Sequence, residues 1–214
     1  MIYFDLHTHA AAALPEAGTD GIPEGAVCLA VVNCDGQLRL APGSPASAGI
    51  HPWWVDGHWR ECWPRLEGAV RSPQVVAVGE CGLDKVRGGA WDEQMDCFEA
   101  QVQLAEEVGK PLVIHCVKAF DEVIAMCRGC RVRRIIHGFR GKPQQAAQLM
   151  GQGFDLSFGF RFHPESLLLA YGAGRMWLET DGDGRGSIAD VYGLACRVLS
   201  IEPTDLRLPG TIVS

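Results

Sequence analysis

The sequence predicts an α/β protein of the (β/α)8 barrel class. Three observations carry this. Eight short, largely apolar segments recur along 214 residues. Several are apolar without alternation, as parallel strands covered on both faces are. Helical patterns separate most of the later ones, and strands alternating with helices build a parallel sheet. Histidines and carboxylates stand at the ends of six of these segments. That is where barrel enzymes carry their chemistry.

The elements follow in order. Met1 to Leu6 is the first strand, running into Asp5-Leu6-His7-Thr8-His9. Ala26 to Val32 is the second, and Ala46 to His51 a weaker third. Val75 to Glu80 and Pro111 to His115 are strong fourth and fifth strands. Arg133 to His137, Phe154 to Phe158 and Met176 to Asp181 complete the set. Asp92 to Val108 is the clearest helix, with Met95, Phe98, Val102 and Ala105 in one stripe and Glu and Gln elsewhere. Trp59 to Val70, Phe120 to Cys127, Pro143 to Met150, Pro164 to Tyr171 and Ile188 to Leu199 are the others. Pro143 suits a first helical turn. The alternation fails twice. Residues 10–25 and 34–45 are too rich in glycine and proline for a long helix. The barrel is therefore predicted to be shortened, with the helices after strands 1 and 2 largely missing.

Composition sets further bounds. A net charge of −7 argues against a broad nucleic-acid-binding face. It leaves room for a phosphate held locally by metal ions. No apolar run approaches the roughly 20 residues of a membrane span, and no signal peptide is read. Nine scattered cysteines, an odd number, fit reduced thiols in a cytoplasm. Cys127-x-x-Cys130 has no second pair to complete a zinc site.

The strand ends carry the chemistry. On a strand, residues i and i+2 face the same side, so His7 and His9 present two imidazoles to one point. His51, Glu80, His115, His137 and Asp181 end later strands. His7, His9 and Asp181 divide naturally onto one ion, and His115 and His137 onto another, with Glu80 between. Two ions clamp the attacking and leaving oxygens of a phosphoryl displacement and supply hydroxide at neutral pH. Asp181 can take the proton from water.

These segments resemble the TatD-type metal-dependent deoxyribonucleases, a family of amidohydrolase-like hydrolases. The resemblance rests on Phe4-Asp5-Leu6-His7-Thr8-His9, Gly49-Ile50-His51-Pro52, Val78-Gly79-Glu80-Cys81-Gly82-Leu83-Asp84, Val113-Ile114-His115, Ile136-His137-Gly138-Phe139-Arg140-Gly141 and Leu178-Glu179-Thr180-Asp181, in this order. It implies one barrel domain over residues 1–214 that cleaves phosphodiester bonds in DNA by metal-activated water. The implied ligands of two divalent ions (Zn, Mn or Mg) are His7, His9, Glu80, His115, His137 and Asp181. Asp181, Glu80 and His51 are the implied catalytic residues, with His51 near the phosphate. Gly138 and Arg140 stand where the family usually has Cys and Ser.

Arg140 and Lys118 are candidates for binding substrate phosphate. Glu179 shares a strand face with Asp181 and reads as a structural carboxylate. His58 and His163 read as surface residues. Trp53, Trp54 and Trp59 follow His51; stacking on bases and packing over the barrel mouth are both open to them. The alternatives are a PHP-type phosphomonoesterase, whose chains also open on Asp-Leu-His-Thr-His, and a non-catalytic metal-binding scaffold. The Gly-Glu-x-Gly-Leu-Asp segment favours the TatD type. The exposed outer faces of strands 1 and 2 need cover. Residues 10–14, the segment 201–213 or a second subunit can supply it, so a homo-oligomer through this side is a further expectation.

Overall fold

A computed structural model of the chain describes residues 2–9, 27–34, 44–182, 184–210 and 212, except for the side chains of residues 2 and 27–29. Among the described residues there are eight strands: β1 Ile2–Thr8, β2 Val27–Asn33, β3 Ala46–Ala48, β4 Val75–Asp84, β5 Leu112–Val117, β6 Arg134–Ile136, β7 Phe154–Phe158 and β8 Met176–Leu178. Six α-helices follow the third strand onward: α1 Trp59–Arg71, α2 Trp91–Val108, α3 Phe120–Met126, α4 Pro143–Gly151, α5 Pro164–Gly172 and α6 Ile188–Leu199. The strands succeed one another in chain order in one sheet. The fold class is the (β/α)8 barrel type that the sequence predicts. The stretches where helices are expected to be missing, 10–25 and most of 34–45, lie outside the described residues.

Several strand boundaries differ from the sequence reading, β3 for one ending at Ala48 short of His51, and two of them bear most on the site. β4 runs on past Glu80 to Asp84, because Cys81, Gly82, Leu83 and Asp84 continue to pair with Ile114 to Val117 of β5. Gly82 makes that approach possible: at φ +137°, an added Cβ would lie 2.0 Å from the His115 carbonyl oxygen. β8 stops at Leu178, and Asp181 sits beyond it in a turn at φ +58°.

The chain forms two compact units. The first comprises residues 1–32 and 137–212. Here β1 pairs with β2, and β7 with β8, both in parallel. α6 opens on a capping box, Ser187 and Asp190 bonding each other's backbone amides. The helix lies against β1. The Tyr192 hydroxyl accepts from Phe4 N at 3.1 Å and donates to Phe4 O, and its ring meets Tyr3 edge-on. The cover of β1 thus comes partly from α6, an element the sequence reading did not consider for that role.

The second unit spans residues 33–136, with β3 to β6 paired in parallel. α1 and α2 pack on β4. α2 departs from its expected stripe: Gln94 and Gln101 are buried, while Met95 is half-buried. The two glutamines are seven residues apart and so share a helix face. Buried amides need partners, and theirs are backbone groups after β3 and within β4. Gln101 Oε1 accepts from Ile50 N at 2.7 Å and its Nε2 donates to Ile50 O at 3.1 Å. Gln94 does the same for Asp84 N and O. An inward-facing glutamine is invisible to a rule that sorts polar residues outward.

Candidate metal centre

In the first unit, β1 delivers His7, fully buried, and the bend after it delivers His9, 43 % exposed. Their Nε2 atoms are 3.3 Å apart. Asp181, 32 % exposed, brings Oδ1 to 3.8 Å from His7 Nε2 and 3.7 Å from His9 Nε2. The turn that holds it is tied to β1. Asp181 N donates to His7 O, Thr180 N to Asp5 Oδ1, and Thr180 Oγ1 to Asp5 Oδ2. Burial pushes the Asp5 carboxyl up to about 7, against the hydrogen bonds from Thr180.

His137, just past β6, lies beside His7 with ring centroids 4.7 Å apart. Glu179 orients it. The carboxylate is fully buried and accepts from Gly138 N at 2.7 Å, and His137 Nδ1 is 3.3 Å away. Burial works to raise its pKa, but His137, His7 and Ser157 outweigh that and hold it below the ordinary glutamate value. A carboxylate on the far nitrogen of a ligand histidine fixes ring and tautomer. Glu179, just past β8, is thus a buried, hydrogen-bonded carboxylate beside His137.

In the second unit, Glu80 Oε1 is 2.9 Å from both His51 Nε2 and His115 Nδ1, and those nitrogens are 3.3 Å apart. Glu80 and His51 are buried. Asp84, which the sequence reading quoted in a motif but gave no role, completes the arrangement. Its Oδ2 is 3.2 Å from His115 Nε2 and accepts from Trp53 Nε1 at 2.7 Å. Its Oδ1 accepts from Val86 N and Arg87 N. Burial opposes ionisation, yet these donors hold the Asp84 pKa below the ordinary value.

The two histidines of this group differ. Trp53 N donates to His51 Nδ1 at 3.1 Å, so a neutral His51 carries its proton on Nε2 and is a donor there. His115 has a carboxylate oxygen at each nitrogen. A neutral ring has one proton, so one of those contacts sets a lone pair against a carboxylate unless a cation lies there. In the first group two imidazole nitrogens and a carboxylate oxygen likewise converge. Ligand atoms bound tetrahedrally at about 2.0–2.1 Å lie about 3.3 Å from one another, which matches the separation of the His7 and His9 nitrogens. The donor sets suit a divalent cation in each unit: His7, His9 and Asp181 in one, and Glu80 and His115 in the other, with the protonated Nε2 of His51 beside them.

Arg140 and Lys118 are both exposed, and no hydrogen bond among the described residues joins either to these groups. His58 is exposed and His163 half-buried. Trp59 is buried in α1, whereas Trp53 and Trp54 are 41 % and 45 % exposed beside His51.

A family model described as TatD-related DNase matches residues 26–182, which is most of the chain. The chain belongs to the TatD-related DNase family. His7 and His9 precede the matched span. Curated TatD relatives are described as 3'-5' ssDNA/RNA exonucleases. One from Edwardsiella piscicida is 40 % identical over 126 residues, covering 54 % of this chain and 48 % of the relative. One from a Pantoea species is 34 % identical over 160 residues, covering 67 % and 61 %. The chain thus spans about half to three fifths of the length of these curated relatives. Among solved structures, a TatD homologue from Escherichia coli superposes with a TM-score of 0.73 at 22 % identity, covering 92 % of this chain and 90 % of that one. A dihydroorotase has the same fold at 14 % identity and a TM-score of 0.67, covering 99 % of this chain and 71 % of that one. These two likenesses speak to the barrel alone.

Proposed function

We propose that this TatD-family protein is a metal-dependent phosphodiesterase that hydrolyses single-stranded nucleic acid. The observation that carries the reading is the convergence of His7, His9 and Asp181 in one unit and of Glu80 and His115 in the other, in a chain with this family match. The names of the curated relatives support nucleic acid as the substrate.

His7, His9 and Asp181 would hold one divalent cation; Glu80 and His115 would be ligands of a second, and His137 would add a further imidazole beside His7. Zinc suits the imidazoles, while manganese and magnesium suit the carboxylates. Such ions, when bound, stabilise charge on phosphoryl oxygens and lower the pKa of water. Asp181, partly open to solvent beside His7 and His9, receives the proton of the water that attacks phosphorus. His51 is the donor of the set: its Nε2–H lies on Glu80 Oε1 at 2.9 Å, and with Glu80 turned to a cation it would be left to donate to a phosphate oxygen. Glu179 and Asp84 act on His137 and His115 from behind, holding each ring so that its other nitrogen faces the cation.

The reading puts the enzyme in the cytoplasm, in keeping with free thiols at the eight described cysteines. No helix among the described residues is long and apolar enough to cross a membrane.

Metal-loaded protein should release nucleotides from an end-labelled single-stranded oligonucleotide and leave p-nitrophenyl phosphate nearly untouched. The reverse preference would favour the phosphomonoesterase. Inertness on both with metal bound would favour the scaffold.

A further inference from the structure

The net charge of −7 leaves little general attraction for nucleic acid, so recognition must be local. One surface in the second unit has the makings of it. The indole of Trp53 is held at several points. Its Nε1 donates to Asp84, its ring meets His51 at 4.8 Å and His115 at 5.8 Å, and the Arg87 guanidinium lies 3.7 Å from its centroid. Arg87 makes no ion pair among the described residues. Its neighbour Lys85, by contrast, is paired with Glu122. A cation stacked on an aromatic face and facing solvent keeps its charge available for an anion.

Trp54 is the second exposed indole. Its ring centroid is 5.5 Å from that of His51. It also borders a recess of about 170 Å³ lined by Ile50, His58 and Trp59. Burying an indole is strongly favourable. Two neighbouring tryptophans left about 40 % exposed beside a donor histidine therefore form an aromatic surface with a use. Aromatic side chains with an interleaved cation bind single strands by stacking bases and pairing with phosphate.

We propose that Trp54 is a nucleobase-stacking subsite and that Arg87, braced on Trp53, binds the phosphate flanking that base. This rests on the nuclease reading above and deepens it. The enzyme would take a base-bearing single strand rather than a bare phosphodiester, with little preference among bases, because every base has a π-face.

The test compares an oligo-dT with an oligonucleotide of equal length whose residues are abasic. Binding is read by fluorescence anisotropy in EDTA, and hydrolysis by KM and kcat after loading with Mn²⁺. Wild type should bind oligo-dT about tenfold or more tightly than the abasic strand. Trp54→Ala should remove most of that difference and Trp54→Phe should keep it. Arg87→Ala should weaken binding of both strands alike and reduce the salt slope by about one. Equal binding of the two strands by wild type would overturn the proposal, as would an equal loss on both in Trp54→Ala. If hydrolysis fails on both strands while anisotropy still separates them, the subsite stands and the nuclease reading falls.

Discussion

The Gln101 amide holds Ile50 by both its N–H and its C=O, and the next residue is His51. α2 thereby fixes the position of a histidine that its own side chains need not touch. Gln101→Leu keeps the volume but leaves two buried backbone groups without partners. It should cost about 2–5 kcal/mol of stability and lower kcat/KM through the misplaced imidazole. Urea unfolding and steady-state kinetics would register both effects. Unchanged midpoint and rate would mean the clamp has no such role.

Metal content is the most direct measure of the two ligand groups. Elemental analysis of protein purified without chelator should give more than one equivalent of divalent ion per chain. Chelation should stop hydrolysis and lower the thermal midpoint, since ions bound only by the native state stabilise it. His7→Ala and His115→Ala should each lose part of the metal. Full occupancy in either variant would remove that residue from its group.

Asp181→Asn keeps the shape and removes the base. Hydrolysis should fall by about 10²–10⁴-fold at saturating metal with the fold intact by circular dichroism. A near wild-type rate would refute the proton-accepting role.

His51→Ala should behave differently from the ligand variants. Because Trp53 N occupies Nδ1, the loss is that of a donor to phosphate. KM should rise severalfold, with metal content nearly kept. Loss of metal with unchanged KM would make His51 a ligand instead.

Away from the centre, Glu106 sets a pH dependence. Its carboxylate accepts from Val132 N, the Cys130 thiol and Arg131 N and Nε. The Val132 amide and the Cys130 thiol foremost hold its pKa down, to about 2 from an ordinary 4.5. A depressed folded-state pKa gives stability that is present above the unfolded value. That stability is lost as pH falls from about 4.5 towards 2. The stability gap between wild type and Glu106→Gln, read from urea midpoints, should therefore be wider at pH 7 than at pH 3. A gap independent of pH would show that the charge is not what counts.

Much of this was legible in the residues. Runs such as Val75 to Val78, short and rich in β-branched residues, read as strand, and each candidate ligand stands at or just past such a run. The His7-x-His9 pair is legible from alternation, although β1 ends at Thr8 and it is the bend there that brings His9 to His7. What escaped reading depends on tertiary partners. Gln94 and Gln101 carry no sign of burial, because an amide faces inward only when backbone groups await it there. Asp84 could be quoted as part of a motif, but its hold on Trp53 and His115 depends on β4 continuing past Glu80. The cover of strand 2 splits in the same way. Leu29's side chain lies outside the described residues, whereas Val31 is fully buried. Val31→Asp should cost more than about 3 kcal/mol.

The bonds between Tyr192 and Phe4, and between Thr180 and Asp5, join residues 188 and 175 positions apart. At 5–20 residues per second, a ribosome needs about 10–40 s between making one partner and the other. During that interval the emerging first strand has neither Asp5's partner nor the helix that shelters Tyr3 and Phe4. The His7–His9 pair therefore waits for the segment that carries Thr180 and Tyr192 before its surroundings are complete. A nascent chain cannot present a finished His7–His9–Asp181 group to metal until Asp181 itself has left the ribosome.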